Sequence, residues 1–275
     1  GASAQAASMV SSSASVNSNL FTCRENRNSE MTLNGFFSRI RMIPRLIRIL
    51  WRSFLTGTYV RPEKYMKYQG RFQAMLSQRD ISRGMTVTNE ECYTLYSSVL
   101  ATRHLSGAIA EVGVYKGNTA KIICEVKESK QLILFDTFAG MPNSKISNKD
   151  EWEKNTHQDT SLESVQAYLR SYDSLLFVPG EFPESVAQSQ HREFIEGQKF
   201  CFVNIDVDLY QSTLDCLNFF YPRLVSGGRL VSHNYNIKDS PGGNTPGVKD
   251  AFFEFFEGRE EKIIEISRDE AKSKN

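Results

Sequence analysis

The stretch Ile109–Gly117 reads I-A-E-V-G-V-Y-K-G, and it decides how the rest of the chain is interpreted. A short apolar run bounded by glycines predicts a buried strand, and the following N-T-A-K-I-I-C-E-V predicts a helix that begins directly after the turn. Gly113 and Gly117 would allow the backbone to bend sharply and to approach a ligand closely. The stretch therefore predicts a strand, a bare turn and a helix, the unit at which open α/β sheets bind nucleotide-like ligands.

Two features of this turn restrict the class of ligand. The glycine spacing is E-x-G-x-x-x-G, so both the G-x-G-x-x-G pattern of dinucleotide sites and the G-x-x-x-x-G-K-[ST] pattern of P-loops are missing. An acid at Glu111 would repel a phosphate and attract an ammonium or a sulfonium. The turn therefore favours S-adenosylmethionine over NAD, although a nicotinamide-dependent oxidoreductase on a similar sheet is the competing class. Alternatively, Glu111 caps the neighbouring helix and the turn is an ordinary one.

Length and composition set wide limits. A chain of 275 residues holds one α/β domain of about 170–200 residues with appendages. Its 33 basic and 32 acidic residues give a net charge of +1, so no global field recruits nucleic acid. The five cysteines include no C-x-x-C pair, which predicts reduced core residues and a cytoplasmic protein.

The N-terminal part has three predicted sections. Residues 1–34 are rich in Ser, Ala and Asn and predict a flexible arm. Residues 35–58 form a basic apolar segment, in which no uncharged run approaches the ~20 residues of a membrane span. Two interpretations of this segment stay open: an amphipathic helix in peripheral contact with a membrane, or packing on the protein body or on a second subunit of a homo-oligomer. Residues 59–106 show helical aromatic spacing and could form a lid.

Strands and helices alternate over residues 107–275, which predicts an α/β fold with a mostly parallel sheet, helices on both faces and the N-terminal helices as an extension. This part is the predicted cofactor-binding domain. A polar insertion at 143–160 interrupts it, and His157 and Asp159 in that insertion are candidates to face a substrate.

An acid also ends the second predicted strand of this domain. Asp136 follows Gly113 by 23 residues, close to the ~20-residue offset at which such an acid reaches the ribose of a bound nucleotide. We expect its carboxylate to accept both ribose hydroxyl protons, and the alternative is that it caps the following loop. The predicted cofactor site comprises Glu111, Gly113, Tyr115, Gly117, Asp136, Thr137 and Phe138.

Two further strands are followed by polar side chains. Asp206 and Asp208 come directly after the predicted strand 200–205, and side chains two apart in an extended chain point to the same side. They would then converge on one cation or one substrate hydroxyl, unless they cap the next helix. A turn predicted at 226–228 leads into a strand that ends in His233 and Asn234.

Six blocks of the sequence resemble the macrocin and mycinamicin sugar O-methyltransferase family in their order. They are E-V-G-V-Y-K-G, F-D-T-F-A-G-M-P, V-P-G-E-F, I-D-V-D-L-Y-Q-S-T, F-Y-P-R-L-x-x-G-G and P-G-V-K-D-A-F, and the resemblance covers roughly residues 85–257. It implies a Rossmann-like class I methyltransferase sheet, S-adenosylmethionine as donor, and Mg²⁺-assisted transfer to a hydroxyl of a sugar or another small natural product. It also implies that Glu111, Gly113 and Asp136 contact the cofactor and that Asp206 and Asp208 lie in the metal region.

One departure from the family pattern affects the metal. Where the family usually ends its fifth strand in Asp-Asp-Tyr, this chain has His233-Asn234-Tyr235, and Mg²⁺ prefers oxygen ligands to imidazole. Three hypotheses follow. A divalent cation held by Asp206 or Asp208 together with Asn234, with His233 as a further candidate ligand, activates the acceptor hydroxyl; or His233 removes its proton without a metal; or the domain binds cofactor without turnover.

Overall fold

The computed structural model describes residues 6–13, 18–25, 70–77, 83, 87–233, 235 and 245–265. The strands are β1 Ala6–Ser13, β2 Ser18–Glu25, β3 Ala108–Val112, β4 Leu132–Asp136, β5 Leu175–Pro179, β6 Phe200–Ile205, β7 Leu224–His233 and β8 Lys262–Glu265. Strands β5, β4, β3, β6 and β7 lie side by side in that order, and each neighbouring pair is parallel. The predicted mostly parallel sheet is confirmed.

Helices cover both faces of this sheet. They are α1 Gly70–Ser77, α2 Asn89–Thr102, α3 Asn118–Cys124, α4 Leu162–Leu169, α5 Glu184–Gln188, α6 Arg192–Glu196, α7 Tyr210–Phe220 and α8 Pro246–Phe256, with short 3-10 helices at Asn143–Lys145 and Tyr221–Arg223. Apolar side chains of α1 to α4 pack in one core layer, and those of α5 to α8 pack in a second. The predicted α/β architecture with helices on both faces and an N-terminal helical extension is therefore confirmed.

The sequence of β3 shows why this strand is central. All five of its residues are buried because both faces of the sheet are covered. Ala108, Ala110 and Val112 point into the layer of α5 to α8, whereas Ile109 points into the layer of α1 to α4. Side chains alternate between the two faces of a strand, so Glu111 points to the same side as Ile109. The side chain of Glu111 is thus directed towards α2 and α3.

The order of the strands creates a crevice at the end of β3. The chain passes from β3 to β4 and β5 in one direction and then returns to place β6 on the other side of β3. Such a reversal is the position at which open α/β sheets bind ligands. Gly113, directly after β3, has φ +88°, and a Cβ there would lie 1.9 Å from the carbonyl oxygen of Asp206. Gly113 is therefore needed for close packing of β3 on β6, where we expected it to make room for a ligand.

Two parts of the fold differ from the sequence prediction. Strands β1 and β2 occupy positions within the predicted arm 1–34, and β2 pairs antiparallel with β7. An unpaired edge of a sheet offers backbone donors and acceptors to any extended segment, a property that side-chain composition does not reveal. The turn expected at 226–228 belongs instead to β7, where the pairing with β6 shifts register and Gly227 has φ +78°. Gly227 and Gly228 therefore lie in an irregular part of strand β7 and not in a separate turn.

Several predictions concern single residue types or segments. Cys92, Cys124, Cys201 and Cys216 are buried, in agreement with the prediction that the cysteines lie in the core. Among the described helices, none combines the length and the apolar character that crossing a membrane requires. The basic segment 35–58 lies outside the described residues.

Candidate active site

The carboxylate of Asp136 organises two turns at the edge of the sheet. Its Oδ2 accepts hydrogen bonds from the backbone N–H groups of Val114 (2.6 Å) and Tyr115 (2.8 Å), and its Oδ1 accepts one from Phe138 (2.6 Å). The acid therefore holds the turn after β3 and its own following loop together, as the capping alternative predicted. Two carboxylate oxygens offer about four acceptor positions. Three are occupied by these N–H groups, and the Thr137 hydroxyl, 3.4 Å from Oδ1, occupies the fourth when it does not donate to Gly140.

The other predicted cofactor residues lie around this acid. Tyr115 and Phe138 both have positive φ, 50° and 51°, a strained conformation that non-glycine residues adopt mainly at functional sites. The hydroxyl of Thr137 donates to the carbonyl of Gly140 and so shapes the loop after β4. Gly117 precedes the first turn of α3, and a Cβ there would lie 3.1 Å from Val165. Gly117 thus serves helix packing, and the remaining residues line the turn.

Glu111 is completely buried behind the turn. Asn204 on β6 donates from Nδ2 to Glu111 Oε1 at 2.9 Å, and Oε2 has no hydrogen-bond partner among the described residues. Burial raises the pKa of Glu111 to about 8. The Asn204 amide and the nearby Thr119 hydroxyl oppose this rise in pKa. The Thr119 hydroxyl lacks hydrogen-bond geometry to Oε2. The acid is therefore protonated at neutral pH, and the negative charge of the crevice resides on the acids at the strand ends.

The raised pKa predicts a pH-dependent stability that Glu111→Gln should remove. The folded protein keeps the carboxyl proton up to about pH 8, whereas the unfolded chain loses it above the ordinary value of 4.5. Between these values the folded state binds more protons, so the free energy of unfolding falls as the pH rises. Glutamine cannot ionise, and we expect the variant to exceed the wild type by a few kcal/mol at pH 8.5 and by much less at pH 5.5.

Urea denaturation at pH values between 5.5 and 8.5 measures this difference. Glu193→Gln, at an exposed glutamate of α6, is the matched control and should follow the wild-type curve. A constant offset between Glu111→Gln and the wild type across this range would show that Glu111 ionises normally in the folded protein.

The two aspartates after β6 have different geometries. β6 ends at Ile205, and Asp208 has φ +60°, so the extended conformation of β6 does not continue through Asp208. That both side chains point to the same side stays a prediction. Asp206 remains attached to the sheet, because its N–H donates to the carbonyl of Val112 at 2.8 Å. Asp206 therefore lies directly beside the turn after β3.

His233 at the end of β7 is buried between two carboxylates. Its Nδ1 lies 3.1 Å from Asp206 Oδ1, and its Nε2 lies 3.5 Å from Glu91 Oε1. Both contacts are within ion-pair distance, and neither has hydrogen-bond geometry. Burial lowers the pKa of His233, but the charges of Asp206 and Glu91 outweigh burial and raise it well above 6.5. The two carboxylates therefore favour the protonated form of His233.

Glu91 and Asn204 are site residues that the sequence reasoning did not identify. Glu91 closes a capping box at the start of α2: its Oε2 accepts from the N–H of Thr88 at 2.6 Å, and its own N–H donates to Thr88 Oγ1 at 3.3 Å. The pattern T-N-E-E was a signal for this cap, although not for the second contact with His233. A cavity of about 10 Å³, the space of one water molecule, lies among these groups.

Within the described part of the chain no three His, Cys, Asp or Glu side chains converge as a ligand set for a divalent cation. Asp206 faces the imidazole of His233, a ligand type that Mg²⁺ does not prefer. Asn234, the predicted amide ligand, lies outside the described residues. The metal prediction for Asp206, Asp208, His233 and Asn234 is consequently not carried into the reaction scheme below.

The polar insertion 143–160 folds across the edge of the sheet. Asp159 contacts both the hydroxyl of Tyr115 and the amino group of Lys116, and the Thr160 hydroxyl donates to the carbonyl of Tyr115. His157, with φ 60°, packs its ring edge-on against Tyr115 at 4.9 Å between centroids. Both candidate residues of the insertion therefore lie on the turn after β3.

Comparison with known proteins gives the family of this chain. Residues 90–249 match the family described as Macrocin-O-methyltransferase (TylF). Mycinamicin III 3''-O-methyltransferase of Micromonospora griseorubida is 28% identical over 59% of this chain and 66% of its own length. The 8-demethyl-8-(2,3-dimethoxy-alpha-L-rhamnosyl)-tetracenomycin-C 4'-O-methyltransferase of Streptomyces olivaceus is 27% identical over 48% and 54%. The chain thus spans less than two thirds of the length of these curated relatives.

A solved structure shows the same fold. The crystal structure of the calicheamicin methyltransferase CalS11 matches 84% of this chain and 90% of its own with a TM-score of 0.50 at 17% identity. That similarity confirms the Rossmann-like methyltransferase sheet predicted from the sequence. The family match includes β3, β4, β5, β6 and β7 together with the turn after β3 and the polar residues at the strand ends. This chain is a member of the macrocin O-methyltransferase family.

Proposed function

We propose that this protein is an S-adenosylmethionine-dependent O-methyltransferase that acts on a sugar hydroxyl of a small natural product. The observation that supports it is the meeting of Asp136, Glu111 and Asp206 at the point where the strand order reverses. Family membership supports the reaction class, and the activities for which both curated relatives are named support a sugar acceptor.

The residues of the crevice fit this donor. A ribose hydroxyl can bind Asp136 Oδ1 when the Thr137 hydroxyl donates to Gly140 instead, and the acids around the turn favour a cation over a phosphate. The orphaned Oε2 of Glu111 is a buried polar atom that a bound ligand or a water molecule would satisfy. When bound, S-adenosylmethionine supplies an electrophilic methyl group on a sulfonium.

Asp206 is the base in this proposal. One of its oxygens faces His233, which leaves Oδ2 for the acceptor hydroxyl. Asp206 would accept the proton of the acceptor hydroxyl. The hydroxyl oxygen would take the methyl group that bound S-adenosylmethionine supplies, which would leave S-adenosylhomocysteine as the neutral thioether. We place the base at Asp206 rather than at His233, because the neighbouring carboxylates raise the pKa of His233 and so favour the form that cannot accept a proton. The role of His233 is to position Asp206 and to balance its charge.

Methyl transfer to defined acceptors tests this function. Mycinamicin III and the tetracenomycin derivative named above are incubated with the full chain and S-adenosylmethionine, and S-adenosylhomocysteine is measured by mass spectrometry. We expect acceptor-dependent formation of S-adenosylhomocysteine that EDTA does not abolish. Loss of activity in EDTA with recovery in Mg²⁺ would reinstate the metal hypothesis.

Two further outcomes would contradict the proposed function itself. Thermal stabilisation by NAD but not by S-adenosylhomocysteine would favour the oxidoreductase class, because a ligand raises stability as RT ln(1 + [L]/Kd). Stabilisation by S-adenosylhomocysteine without turnover of either acceptor would favour the hypothesis of a cofactor-binding protein that does not act on these sugars.

A further inference from the structure

The insertion 143–160, here named the strap, connects the two sides of the crevice. On one side, Asp150 Oδ1 accepts a hydrogen bond from the N–H of Tyr210 at 2.8 Å, at the first residue of α7. Gly247 in α8 admits this contact, because a Cβ there would lie 2.4 Å from the same oxygen. On the other side, Asp159 binds Tyr115 and Lys116 on the turn after β3. The strap thus spans from the helix that follows Asp206 to the predicted cofactor turn.

Trp152 lies in the middle of the strap. Its ring is 5.4 Å from that of His157, which in turn packs against Tyr115. The indole Nε1 is buried and has no hydrogen-bond partner among the described residues. A buried unpaired donor is destabilising, so native proteins normally supply such a group with a partner. Tryptophan combines an apolar ring with one donor, which suits a ligand that has both C–H faces and oxygen acceptors.

We propose that Trp152 binds the acceptor sugar, with the indole N–H donating to a sugar oxygen and the ring packing against the C–H face of the pyranose. This inference rests on the proposed function and assigns a specificity-determining residue to it. The strap is tied both to Tyr210 on the Asp206 side of β3 and to Tyr115 on the cofactor turn. We assign Trp152 to the acceptor because an apolar ring with a single donor suits a sugar. The ribose anchor Asp136 lies at the end of β4, on the opposite side of β3.

Substitution of Trp152 tests the assignment in the full chain. We expect Trp152→Ala to raise the KM for mycinamicin III or the tetracenomycin derivative by about 10-fold, because both packing and a hydrogen bond are lost. Trp152→Phe keeps most of the ring and loses only the N–H, so it should give a smaller increase. Calorimetric affinity for S-adenosylhomocysteine should change less than twofold in both variants. An equal loss of cofactor affinity would overturn the proposal.

A fluorescence titration gives a readout that does not depend on turnover. The chain has two tryptophans, so the Trp51→Phe protein reports Trp152 alone. We expect its emission to change saturably with either acceptor and not with methanol as a hydroxyl control. Turnover without an emission change would overturn the role of Trp152 only. An emission change without turnover would support Trp152 and contradict the proposed function, and the absence of both would overturn both.

Discussion

Replacing Asp206 with asparagine is expected to lower kcat by about 10²–10⁴-fold, the usual contribution of a general base. The amide keeps the shape of the side chain but cannot accept the acceptor proton. Affinity for S-adenosylhomocysteine should stay within a few-fold of the wild type, because Asp206 is not proposed to hold the cofactor. Steady-state kinetics with saturating donor, together with calorimetry, separates these two quantities.

Asp208→Asn is the matched control for that experiment. Asp208 has a left-handed backbone conformation, with φ +60°. It follows Asp206, whose N–H group donates to Val112 in β3. We expect its substitution to lower kcat less than 10-fold, below the effect of a lost base. If Asp208→Asn were as damaging as Asp206→Asn, the two acids would act as a unit, which is the behaviour expected of a shared cation site. Full activity of Asp206→Asn would refute the proposed base.

Asp136→Ala is expected to weaken the binding of S-adenosylhomocysteine on the order of 100-fold. A hydrogen bond to a charged group contributes about 1.5–3 kcal/mol, and each 1.4 kcal/mol is a factor of ten in affinity. The substitution also releases three backbone N–H groups that hold the turns after β3 and β4 together. Isothermal titration calorimetry measures the affinity, and thermal denaturation reports how far the turns lose order.

Asp173→Ala provides the comparison for this variant. Asp173 is an exposed aspartate before β5, at the opposite end of the strands from the crevice. Its removal should leave cofactor affinity unchanged. Unchanged affinity in Asp136→Ala would mean that the acid only caps its loops, which was the alternative interpretation of this residue.

Local patterns predicted the sheet correctly because each one depends on a short stretch of chain. The run before Gly113 and the run before Asp136 are buried on both faces, so apart from Glu111 their side chains are apolar and the strands are easily recognised. The positions of Asp136 and Asp206 at strand ends followed from the same patterns.

The contacts inside the site could not be predicted in this way. The pairing of Glu91 with His233 joins α2 to β7, and that of Glu111 with Asn204 joins β3 to β6; both depend on tertiary packing. Burial of Glu111 also reverses the electrostatic reasoning, since an acid that appears able to attract a cation is protonated when water is excluded.

The glycines and the strap show a second limit. We expected Gly113 to make room for a ligand. A side chain at this position would instead clash with the backbone oxygen of Asp206, directly after the neighbouring strand β6. Periodicity assigned no structure to the polar strap, because its order comes from side-chain contacts such as Asp150 with Tyr210 and Asp159 with Lys116. Such long-range pairs have no signature at a fixed sequence spacing.

A crystal structure of the full chain grown with S-adenosylhomocysteine tests the central claim most directly. We expect the ligand in the crevice beside the turn after β3, with a ribose hydroxyl within hydrogen-bond distance of Asp136 and the sulfur directed towards Asp206. Ligand density at any other place, or a crevice that stays empty at saturating ligand while the turns keep their conformation, would contradict it.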